Sequence, residues 1–150
     1  MNNRIKIYTD GVCQGNQFEN NKGGYAAIIF KPGEEPLKLS GGYKNTTNNR
    51  MELKAVIEAL KRVPKSKPVT VYSDSEYVVL GITERINNWI SKGKIEKNED
   101  LWMELYRLKK RFDDIEFKHV ESSGFSKKNN EANKLAKEAC KGFGLPEDIR

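Results

Sequence analysis

The sequence predicts an α/β fold: a five-stranded mixed sheet, three antiparallel strands followed by parallel ones, flanked by helices. Three observations carry this expectation. The first 43 residues hold three short runs rich in β-branched and aromatic residues, separated by turn residues, as in an antiparallel meander. After them, apolar residues at helical spacing alternate with two further strand-like runs, which calls for crossover connections and parallel pairing. At 150 residues the chain can bury a core without disulfide staples, so a single domain over 1–150 is expected.

The first strand is residues 4–10, closing on the carboxylate of Asp10 before the glycine break at Gly11 and Gly15. Alternation places Asp10 on the face of Tyr8 and opposite Ile5 and Ile7. Residues 23–30 form the second strand, 31–36 a turn, and 37–43 the third. A segment rich in capping residues, 44–49, leads into a helix on which Leu53, Val56, Ile57, Leu60 and Val63 recur until Pro64 stops it. The fourth strand, 68–74, repeats the logic of the first: Asp74 follows Tyr72 as Asp10 follows Tyr8. A helix over 75–89, a polar stretch over 91–98 and a helix over 99–111 come next. The fifth strand covers 114–120 and a loop 121–129. The last helix starts near Asn130, carries Ala132, Leu135, Ala136 and Ala139 on one stripe, and ends at Gly142 and Gly144, leaving 145–150 as a loose tail.

Composition narrows the function. No apolar run is long enough to span a bilayer and the N-terminus has no signal-peptide pattern, so a soluble cytoplasmic protein is expected. Cys13 and Cys140 have neither CxxC nor Cys/His spacing, which leaves two reduced thiols. The 27 basic against 21 acidic residues give a net charge of +6, which suits a polyanionic partner.

Asp10 and Asp74 end strands, and Glu52 stands in the first turn of the helix leading to the fourth strand. If the first and fourth strands are neighbours, the three acids converge beyond one end of the sheet, where open α/β sheets place their ligand sites. Their repulsion would raise at least one pKa unless a cation intervened, and all-oxygen ligands suit Mg²⁺ or Mn²⁺. Taken singly, Asp10 also fits a turn residue and Glu52 a helix-dipole acid. Two cations about 4 Å apart would stabilise both oxygens of a phosphodiester displacement, so acids in a basic protein point to a nuclease.

Four segments, 10–16 with 23–26, 47–53, 73–78 and 130–136, resemble, in order, the motifs of type 1 ribonuclease H, and together they cover nearly the whole chain. The resemblance implies the ribonuclease H-like fold with the first strand central. It also implies Mg²⁺-dependent endonucleolytic hydrolysis of the RNA strand of RNA/DNA hybrids, leaving 5′-phosphomonoesters; a monomer is the default expectation. Asp10, Glu52 and Asp74 match three of the family's four metal-binding catalytic carboxylates, and Asn133 stands where the fourth is usually Asp. Cys13, Asn16, Asn48, Asn49 and Glu76 match positions that contact substrate.

Two departures qualify the match. The amide of Asn133 offers an oxygen but no charge, which implies weaker binding of one ion and a preference for Mn²⁺; a helix-surface residue is the alternative. The loop before the last helix has Ser122-Ser123-Gly124 where relatives often carry a mobile histidine, and the lone His119 shares a strand face with Ile115 and Phe117, as a structural histidine would. The second functional reading is therefore a catalytically weakened hybrid-binding domain. Lys92, Lys94 and Lys97 stand where some relatives carry a longer basic protrusion and are expected to give salt-sensitive binding.

Overall fold

The computed structural model describes residues 3–15, 21–121 and 127–150. Its elements are β1 (Ile5–Gln14), β2 (Lys22–Phe30), β3 (Leu37–Lys44), α1 (Asn48–Leu60), β4 (Val69–Ser73), α2 (Glu76–Leu80), α3 (Ile86–Ser91), α4 (Glu99–Lys110), β5 (Ile115–His119) and α5 (Lys127–Cys140). The sheet order is β3-β2-β1-β4-β5, so β1 is central. It pairs antiparallel with β2, which pairs antiparallel with β3, while β4 is parallel to both β1 and β5. The expected mixed five-stranded sheet is thus observed.

One face carries the main core. Ile5, Ile7, Ala27, Ile29, Val69 and Val71 point from the sheet onto Leu53, Val56 and Leu60 of α1 and onto Trp102 and Leu105 of α4. Trp102 is fully buried, and its indole N–H donates to the Tyr77 hydroxyl at 2.8 Å, which removes the cost of sequestering that polar group. Helix α5 covers the other face over β1, β2 and β3. It comes close because Gly24 has no side chain: a Cβ there would press into the Ala136 carbonyl and lie 2.8 Å from the Cys140 nitrogen.

Several boundaries differ from the expectations. β1 does not break at Gly11 but continues to Gln14, because its hydrogen-bonded register with β2 persists through Cys13↔Gly23 and Gln14↔Lys22. Asp10 therefore lies inside a strand. The helix expected over 75–89 contains a π-helical turn, Gly81–Arg85, between α2 and α3, where it packs on Trp102. α1 ends at Leu60, and Val63 is buried in the turn beyond it. α5 starts at Lys127, ahead of the expected Asn130.

The tail is the largest departure. The Lys44 N–H donates to the Pro146 carbonyl at 2.8 Å, the Asp148 N–H donates to the Lys44 carbonyl at 3.0 Å, and Asp148 is 3% exposed. Far from loose, 145–150 docks beside β3 and the start of α1. The reason is charge: buried Arg50 requires carboxylates, and Asp148 is one of them.

Candidate active site

The last parallel pair of β1 and β4 is Thr9↔Ser73, and the next residue on each strand is Asp10 and Asp74. Register alone therefore puts the two carboxylates side by side. Glu52 arrives from α1, whose entry is fixed by Thr47, the N-cap that accepts from the Arg50 N–H at 3.1 Å; such caps contribute about 1 kcal/mol. Because α1 starts at Asn48, Glu52 lies in its second turn and not in the first, as expected from sequence. Gly11 sets the distance. A Cβ on it would press into the Glu52 backbone nitrogen and lie 2.5 Å from the Met51 carbonyl carbon, so only glycine lets α1 rest against the strand here.

One oxygen from each of Asp10, Glu52 and Asp74 lies within 4.8 Å of the others. Asp10 is 2% exposed and Glu52 5%. Burial, and secondarily the Asp74 charge, push the Asp10 carboxyl up to about 7, against hydrogen bonds from Asn133 and from the Gly11 N–H. Burial also raises Glu52 well above the ordinary carboxylate range, with the charges of Asp10 and Asp74 adding to it. Among the described residues no lysine or arginine pairs with these acids. Glu52 Oε1 and Asp74 Oδ1 are buried without a hydrogen-bond donor. Unsatisfied buried carboxylate oxygens facing one another are costly, and a hard divalent cation with oxygen preference satisfies them. The donor set therefore fits the metal that the sequence calls for.

Asn133 of α5 reaches the cluster, but through nitrogen: its amide N–H donates to Asp10 Oδ2 at 2.6 Å. Cys13 is half-buried near the Thr46 carbonyl, 3.8 Å from its sulfur, and does not join the acids. Asn48 and Asn49 are exposed on the first turn of α1 and share a polar hollow of about 570 Å³ with Thr47, Lys97, Asn98 and Arg150. Glu76 is exposed at the start of α2. Asn16 and the 122–124 loop lie outside the described residues. Lys92, Lys94 and Lys97 line a hollow of about 500 Å³ with Tyr77 and Trp89. His119 is exposed, and its Nε2 lies 3.2 Å from the Asp74 carbonyl oxygen.

The sequence reading missed what supports this end of α1. Arg50, 1% exposed, grips Asp100 at 2.9 and 2.7 Å and Asp148 at 2.7 and 3.1 Å. Asp148 also accepts from the Thr46 hydroxyl at 2.7 Å and pairs with Lys54 at 3.4 Å. Burial works against the Asp148 anion, but the Arg50 and Thr46 hydrogen bonds outweigh it and hold the carboxyl below its usual range. Two carboxylates distant in sequence thus clamp the segment that delivers Asn48, Asn49 and Glu52. An arginine at position three of a helix was the available signal, but its partners are invisible until the chain is folded.

A central strand with antiparallel neighbours on one side and parallel ones on the other, carrying acids that converge for a divalent cation, defines a metal-dependent phosphodiester-cleaving class of α/β protein. The family model for RNase H matches residues 2–141. A Ribonuclease H of Chromobacterium violaceum is 40% identical over 139 residues, spanning 89% of this chain and 92% of that one. A Ribonuclease H of Clostridium botulinum is 37% identical over 149 residues, spanning 95% and 99%. Among solved structures, a type 1 RNase H with the type 2 active-site motif superposes with a TM-score of 0.76 at 28% identity, covering 93% of this chain and 73% of that one. A foamy viral protease-reverse transcriptase in complex with RNA/DNA hybrid superposes at 0.80 over 91% of this chain and 20% of that one, but at 23% identity it speaks for the fold alone. The chain belongs to the RNase H family, whose members depend on divalent metal.

Proposed function

We propose that this protein is an endoribonuclease that hydrolyses the RNA strand of RNA/DNA hybrids, with Asp10, Glu52 and Asp74 as the ligands of a catalytic Mg²⁺ that Mn²⁺ can replace. The observation that carries the reading is the pair of buried, donorless oxygens on Glu52 and Asp74, gathered with Asp10 at the centre of a basic protein. Asp10, Glu52 and Asp74 would hold the cation, which would supply polarisation of the scissile phosphate and a lowered pKa for an attacking water; the expected product is a 5′-phosphomonoester. Gly11 and the Arg50 clamp hold Glu52 against β1, so the ligand set is formed before substrate arrives. Asn133 holds the Asp10 carboxylate by its amide N–H, and turning that amide over would offer its oxygen instead. Asn48 and Asn49 present short amides to a ribose hydroxyl, the group that tells RNA from DNA. Cys13, Asn16 and Glu76 complete the proposed contacts, and the lysines at 92, 94 and 97 neutralise phosphates. A cytoplasmic monomer suffices for this chemistry.

The test is to incubate labelled hybrid, duplex RNA, single strands and duplex DNA with Mg²⁺ or Mn²⁺, beside Asn133→Asp. Cleavage confined to hybrid, faster in Mn²⁺ and less ion-selective in Asn133→Asp, is expected. Cleavage of duplex DNA, or none of hybrid in either ion, contradicts it. Hybrid bound but cut only by the Asp variant establishes the weakened hybrid-binding reading, which the nitrogen-first contact of Asn133 favours.

A further inference from the structure

The three acids are not held alike. Asp10 lies inside β1, in register with Ala26 of β2, and Glu52 lies inside α1. Asp74 stands in neither a strand nor a helix: β4 ends at Ser73, and α2 starts at Glu76 with Ser75 as its N-cap. Yet Asp74 carries one of the two buried carboxylate oxygens that have no donor, so the direction of its side chain decides what a cation meets there. That direction follows from the backbone around its Cα, beyond the point where β4 pairs with its neighbours.

The end of β5 supplies the missing hold. Its register with β4 closes on Ser73↔His119, and the next N–H, that of Val120, donates to the Ser73 carbonyl at 2.9 Å. The following carbonyl, that of Asp74, lies 3.2 Å from His119 Nε2. A carbonyl oxygen only accepts, so this nitrogen carries the hydrogen and donates. The imidazole thus continues with a side chain a series that the ladder leaves off, and residues 119 and 120 grip two successive carbonyls of the connection between β4 and α2. Past Asp74 the turn is braced by its own serines: the Ser75 N–H donates to Ser73 Oγ at 3.1 Å, and the Val78 N–H to Ser75 Oγ at 3.2 Å. Strand alternation put His119 with Ile115 and Phe117, as a core residue would be, but those two pack against the core and His119 is exposed. Its contact with the Asp74 carbonyl is therefore not a by-product of burial.

We infer that His119 is a positioning residue of the metal site: its Nε2–H fixes the Asp74 backbone, and with it the carboxylate, in the pose that receives the cation. The inference rests on the metal reading above, and its test separates the two. Mn²⁺ binding to substrate-free protein is followed by loss of the free-ion electron paramagnetic resonance signal, for the wild type and for His119→Ala, His119→Gln and His119→Asn. Glutamine carries its amide nitrogen as many bonds from Cα as Nε2, asparagine one fewer, so only glutamine can restore the hydrogen bond. His119→Ala and His119→Asn raise the Mn²⁺ Kd about three- to tenfold, the scale of one hydrogen bond acting through a ligand's backbone, while His119→Gln stays within about twofold of wild type. The KM for hybrid, measured at saturating Mn²⁺, keeps its wild-type value in all three. Wild-type Mn²⁺ affinity in His119→Ala overturns the inference, and a raised KM beside it would make His119 a substrate contact instead. Equal weakening in His119→Gln and His119→Ala also overturns it, since the ring and not its hydrogen bond would then matter. Wild-type protein that binds no Mn²⁺ overturns the metal reading and this inference with it.

Discussion

Replacing Asp148 by alanine is the sharpest test of how the active-site end is held together. Arg50 is fully buried, and Asp148 supplies two of its four close carboxylate contacts. Breaking one partner of a buried pair generally costs about 3–5 kcal/mol, because a charge is left without compensation. Here Asp100 remains, but its side chain is 38% exposed and its attraction is screened, so the lower end, about 3 kcal/mol, applies. For a chain of this size that corresponds to a fall in Tm of about 6–12 °C. The assay is urea denaturation of both proteins at neutral pH, read as a shift in midpoint at constant slope. Acid sharpens it. Since the folded-state pKa of Asp148 is depressed, its contribution is present above the ordinary carboxylate range and disappears as pH falls through the folded value, so the two proteins converge in stability at low pH. A stability loss, taken as midpoint shift times slope, below about 1 kcal/mol, or a gap that persists in acid, refutes the clamp.

Three further outcomes follow from the same geometry. With Asp10 raised from 3.8 to about 7, the native state binds more protons than the unfolded chain between those values; metal-free protein loses stability as pH rises across that window, and added Mn²⁺ reverses the loss. A pH-independent thermal midpoint there, matched by Asp10→Asn, would contradict the assignment. Gly11→Ala forces α1 away from β1; a stability loss of about 1–3 kcal/mol is expected, with hybrid cleavage falling more steeply than hybrid binding. Unchanged kcat would show that α1 yields without moving Glu52. Exchanging Lys92, Lys94 and Lys97 for alanine is expected to lower the slope of log affinity against log salt by about 2–3, and an unaltered slope would mark those lysines as a solvated face.

What could be read from the chain was whatever local chemistry repeats. Tyr72-Ser73-Asp74 echoing Tyr8-Thr9-Asp10, the helical spacing from Leu53 to Leu60 and the motif order led to the mixed sheet, the family and three of the acids that meet. Strand alternation even placed Tyr8 and Tyr72 with Asp10 and Asp74, because period-two geometry is a property of the strand itself. Where β1 stops was not legible: the glycine at 11 looks like a break in isolation, and only α1 lying against it shows that it admits a helix. The tail was misjudged for the same reason. Residues 145–150 have no periodic apolar signal, and what fastens them is a buried arginine some hundred positions earlier, an electrostatic need that arises only once folding has removed water from Arg50. Local sequence thus selected the elements and the acids, and long-range burial decided which charges must be met and how closely the helices approach.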